Sequence, residues 1–185
     1  MLPLDDDRWS LLTHAYGVAT DIPPQLARLR TNPASADITF RDIDLGALCH
    51  QNSVSTALYA AIPYLIDAAQ KLPPEKRADL LGWVGCSMAD ATLPGETIVP
   101  VFLREALDTA VAKGMRLLLE TLSVSFDEET TRWLLAALAG FKGHSDLCHV
   151  ISSLDCLLFC PECGTQIEPM KSTLNLGYSR RQRES

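Results

Sequence analysis

The 185-residue chain has no uninterrupted apolar run of about 18 residues, so the sequence predicts no membrane-spanning helix. Its start, MLPLDDDRWS, carries three acids and no cationic stretch ahead of an apolar one. That argues against a secretion signal and makes the cytoplasm the expected compartment. Motifs of the form GxGxxG, GxxxxGK[ST], GxSxG and HExxH are missing. Each would have signalled dinucleotide, phosphate, acyl-transfer or zinc-hydrolase chemistry, and without them the expectation is a protein that is not an enzyme. Few β-branched runs occur, while hydrophobic residues reach 47% and much of that is Leu and Ala. This balance excludes a disordered chain and favours helix over strand.

Charge is unevenly spread. Lys171, Arg180, Arg181 and Arg183 face only Glu184 in the last fifteen residues, a sum of +3, so a net charge of −7 leaves −10 on residues 1–170. An acidic body repels nucleic acid and suits a basic protein partner, although such a charge also serves solubility alone. The acids nearest to expected helix ends and loops are Asp5, Asp6, Asp7, Glu96, Asp127, Glu128 and Glu129, the candidate partner-binding residues. The same residues have a plainer reading: Asp5–Asp7 as a solvated cap, and Glu128 and Glu129 as acids that favour a helix start.

Apolar spacing of three and four runs through residues 9–154. Trp9, Leu12, Tyr16 and Ala19 predict a first helix, and Ile22, Leu26 and Leu29 a second that opens on Pro23–Pro24. Phe40, Ile43, Ala47 and Leu48 mark a short helix. Leu58, Ile62, Leu65, Ile66 and Ala69 give one side of a helix capped by Ser53 or Ser55, with Pro63 inside it. Leu80, Leu81, Val84 and Met88 follow Pro73–Pro74 as the inner face of the next. Leu103, Leu107, Val111 and Leu118 line a long helix. Ser125 to Glu128 has capping-box spacing before a helix that ends at Gly140, and HSDLCHVISSL forms a last one. Arg77–Gly85 (RADLLGWVG) and Arg132–Gly140 (RWLLAALAG) superpose at an offset of 55 residues, as two copies of a helix–turn–helix unit would. The expected fold is all-α, built from antiparallel helix pairs. Residues 1–155 would form the helical domain, 156–170 a small hairpin packed on it, and 171–185 a disordered basic tail.

The stretch HQNSVSTALYAAIPYLIDAA resembles the pattern HQGTVYxATxxAxPxL of bacterial HEAT-like helical-repeat proteins through His50, Gln51, Val54, Ala57, Ala61, Pro63 and Leu65. WSLLTHAYGVATDIPPQLARL upstream is similar to that family's opening. The likeness covers residues 9–90 well and the rest loosely, and it departs at Asn52, where the family tends to have glycine. It implies a HEAT-like α-solenoid that binds protein without catalysis. Some of these proteins resemble immunity proteins, the neutralising half of toxin–antitoxin pairs. The implied partner is then a cognate toxin, and the acidic body predicts a basic one.

Among residues with possible chemistry, His50–Gln51 reads as a structural pair bonding the loop before the Pro63 helix. His14 reads as a boundary residue, and Cys49 and Cys86 as buried thiols. The CPECG segment around Cys160 and Cys163 has the shape of half a zinc site. His144 and Cys148, four apart and so on one side of a helix, complete a candidate set of His144, Cys148, Cys160 and Cys163. Cys156 and His149 also lie nearby, and Cys156 with Cys160 and Cys163 is a three-ligand alternative. A closed set would be structural, one Zn per chain, making the protein a zinc-stabilised helical adaptor. No second CxxC exists, so a hairpin without metal is the competing reading.

Overall fold

The computed structural model describes residues 1–31, 44–50, 53–91 and 98–153, together with the backbone of 158–159 and 166–167. Among them, 73% are helical, in seven α-helices with three short antiparallel strand pairs beside them. None of these helices is long and apolar enough to cross a membrane.

The chain enters differently from the expected helix. Asp7–Leu11 is a 3₁₀ turn, then β1 (Thr13–His14) pairs antiparallel with β2 (Gly17–Val18). Three features oppose the helix. Gly17 takes a φ of 144°, which disfavours any other residue. The His14 ring accepts the backbone N–H of Tyr16 at 3.1 Å, capturing a donor that a helix would use. Ala15 N–H is bonded to Ala47 O at 2.9 Å, and Thr13 N–H to the Thr56 hydroxyl at 2.8 Å. Trp9, Leu12 and Ala19 are buried as expected, but Tyr16 is two-thirds exposed.

α1 (Ile22–Thr31) buries Ile22, Leu26 and Leu29. α2 (Leu45–Leu48) is one turn, capped by the Asp44 carboxylate on Ala47 N–H; Phe40 and Ile43 fall outside the described residues. β3 (Cys49–His50) and β4 (Ser53–Val54) form a second hairpin that the sequence did not suggest.

α3 (Thr56–Ala69) is the centre of the molecule. Twelve of its residues are buried, so it is apolar all round and not one-sided as its spacing implied. Ser55 stands at its cap position, but the hydroxyl donates to Leu48 O at 2.7 Å instead of capping. At the far end the Arg77 guanidinium donates to Ala69 O (3.2 Å), the last carbonyl of α3, and to Leu72 O (2.9 Å) in the turn that follows.

α4 (Pro74–Asp90) packs back on α3, and α5 (Arg104–Leu122) runs beside α3, joined to it by the Lys113–Asp67 ion pair at 2.6 Å. α6 (Glu128–Phe141) starts on a different cap from the expected one. Asp127 accepts from Thr130 N–H at 2.7 Å, so Ser125 is not the cap. Its end is set by Gly143 in the left-handed region (φ 75°), with His144 N–H returning to Ala139 O at 2.9 Å. Gly140 therefore has a different job. α4 and α6 touch through Gly82 on Trp133, Gly85 on Ala137 and Gly140, and Ala89 on Gly140. These contacts advance together, so the two helices run in the same direction, and their glycines bring the backbones close.

α7 (Ser145–Ser152) packs on α6 and α4. Leu158–Phe159 (β5) pairs antiparallel with Gln166–Ile167 (β6). Ala89, Ala136, Ala139 and Cys148 make a small second core apart from the main one.

Candidate interaction cleft and the Asp90 cluster

An open cleft of about 430 Å³ lies where α4, α6 and α7 meet. It is lined by Asp79 of α4, by Glu129, Thr130, Arg132 and Trp133 of α6, and by Ser152 of α7. Trp133 is half-buried, and its indole lies directly over Gly82, where a methyl group would collide with the ring. Gly82 thus seats the indole in the cleft wall. Burial raises the Asp79 carboxyl above its ordinary range, because a charge there loses part of its hydration. Two carboxylates against one guanidinium leave the cleft with a net negative charge beside an aromatic face. That combination suits a lysine or arginine side chain.

The candidate partner-binding acids do not gather on one face. Asp6 is committed to Arg8, which donates to it from the side chain at 2.9 and 2.6 Å, and this pairing lowers the Asp6 carboxyl to about 2. Arg8 in turn lies over the Phe102 ring at 5.1 Å, just ahead of α5. Asp127 caps α6, and those bonds to Thr130 hold its carboxyl low. Asp5, Asp7, Glu128 and Glu129 are exposed, and Glu96 lies outside the described residues. Asp5–Asp7 sit by the start of α5 and Asp127–Glu129 beyond its end. The two groups are thus separated by the 19 residues of that helix, roughly 28 Å. Of the six that are described, Glu129 alone lines the cleft.

Of the proposed zinc ligands, His144 and Cys148 are described and stand in different settings. His144 is the exposed residue preceding α7, with non-helical backbone (φ −93°, ψ 73°), so four-residue spacing does not align it with Cys148. Cys148 is fully buried, its sulfur 3.6 Å from that of Cys86. Cys156, Cys160 and Cys163 lie outside the residues whose side chains are described. Among the described residues, no three His, Cys, Asp or Glu side chains converge as a metal would need.

A polar cluster that the sequence reading missed centres on Asp90, buried at the end of α4. Its Oδ1 accepts from His149 Nε2 at 2.8 Å, and the Cys49 thiol donates to Oδ2 at 3.7 Å. These are the residue types of a thiol hydrolase in the wrong order. Here His149 and Cys49 both bond the same carboxyl, with Asp90 between them. The cluster ties α4, β3 and α7 together. His14, bonded to Asp21 at 3.0 Å, and His50 both meet the edge of Tyr16, with ring centres 6.1 and 5.8 Å away. Both histidines are thus engaged in joining the N-terminal hairpins.

The cleft had one sequence signal, Gly82 placed three before Gly85. Its meaning depends on Trp133, about fifty residues further on. Comparisons with protein-family models, curated proteins and solved structures found no match.

Proposed function

We propose that this chain is a non-enzymatic interaction protein that binds a basic protein partner, as an immunity protein binds and neutralises a basic bacterial toxin. The observation that carries this reading is the α4–α6–α7 cleft, where Trp133 stands beside Asp79 and Glu129. A half-buried indole next to two carboxylates, Asp79 partly desolvated and Glu129 exposed, is the kind of anchor point found in protein interfaces, where a basic side chain stacks and pairs at once. The parallel contact of α4 with α6 supports a HEAT-like stack of two helix pairs, α3–α4 and α5–α6, matching the two related sequence segments. Such stacks present one helix of each pair as a continuous surface. The central placement of Asp90 between thiol and imidazole supports a structural role for those groups.

The test is capture of partners from the native host with the tagged full-length chain, alongside an Asp79→Asn/Glu129→Gln variant. The reading expects a basic protein retained by the wild type and lost by the variant. Equal retention by both, or an acidic partner, would count against it.

A further inference from the structure

We propose that Cys86 and Cys148 form a redox-responsive dithiol, which a small-molecule disulfide of the glutathione class oxidises to a cross-link between α4 and α7. Both are free thiols, on different helices, with sulfurs 3.6 Å apart. Their surroundings are small: Ala89 of α4 and Ala136 and Ala139 of α6 cluster with Cys148, and Cys86 packs against them. A disulfide needs sulfurs at about 2.05 Å, so less than 2 Å of closure separates the thiol pair from the bond.

The two sulfurs differ in access. Cys148 is fully buried, while Cys86 is half-buried and is the one a reagent meets first. Cys148 is thus suited to the resolving step.

Cys86 gives up its proton and attacks one sulfur of the reagent, breaking its S–S bond and expelling a thiolate that takes up that proton. Cys148, deprotonated in turn, attacks the Cys86 sulfur of the mixed disulfide and expels the second thiol. Two protein thiols lose two electrons, and one small disulfide becomes two thiols. The cross-link closes the chain from 86 to 148 and fixes α7, whose His149 holds Asp90 and whose Ser152 lines the cleft. Reversible disulfides of this kind are the form that redox sensing takes in reducing compartments.

The experiment uses the full-length chain, oxidised glutathione and peptide mapping after alkylation. The expected product is a Cys86–Cys148 linked peptide, lost on adding dithiothreitol. Loop closure should raise the Tm by roughly 5 to 15 °C in the oxidised form. Cys148→Ser, or Cys148→Ala if the serine variant folds poorly, should stop with glutathione held on Cys86. Cys86→Ser should leave Cys148 reduced. The proposal is overturned if wild-type Cys86 and Cys148 both stay unreacted while other cysteines oxidise. It is equally overturned if wild-type Cys86 accumulates glutathione without cross-linking, or if bound zinc keeps the two thiols reduced.

Discussion

Gly140 rests on the backbone carbonyl of Gly85, with Ala89 close on the same side. These two glycines are also the last residues of the two related segments, Arg77–Gly85 and Arg132–Gly140. A methyl group on Gly140 would fall against that carbonyl, and backbone cannot move aside as a flexible side chain can. Gly140→Ala should therefore destabilise the fold by about 3 kcal/mol, despite alanine's better helix propensity. Urea unfolding measures this; a variant as stable as wild type would mean that α4 and α6 are not in contact there.

Arg77 offers a second check, on the centre of the molecule. Its guanidinium closes the end of α3 through Ala69 O and Leu72 O. Arg77→Ala should cost about 2 kcal/mol, the usual range for hydrogen bonds to a charged group. Arg77→Lys should recover only part, since an ammonium cannot match two bonds from a fixed planar fork. Full recovery by lysine would show that charge alone matters.

Asp79 gives a pH signature whose sign is fixed by its environment. Burial raises its carboxyl above the unfolded value, so the native state holds the proton more tightly. Its contribution is then neutral below the unfolded pKa and becomes destabilising as pH rises through the folded one. Asp79→Asn should raise the Tm at neutral pH, with the gain fading as pH falls through the raised folded pKa and gone below about 4. Thermal melts of both proteins across that range decide it; a variant less stable at pH 7 would show that Asp79 is already paired in the free protein.

How much of this was legible in the sequence depended on how local the cause was. α3 to α6 followed from apolar spacing and from proline pairs, which act within a turn or two. Residues 7–21 were misread because their conformation is decided by Ala47 and Thr56, more than thirty residues away. The cap of α6 was misplaced by two residues because Asp127, equally able to cap, stands nearer the helix than Ser125. In the candidate site only Glu129 had been singled out. Asp79 and Trp133 become neighbours only when α4 and α6 pack, and no periodicity within one helix encodes that.

The most direct test of the central claim is the association rate of the full-length chain with its captured partner, followed from about 50 to 500 mM salt, where the Debye length falls several-fold. Binding steered by Asp79, Glu129 and the acidic body should slow markedly across that range, and Glu129→Lys should slow it further at low salt. A rate indifferent to salt and to Glu129→Lys would contradict an acidic docking face.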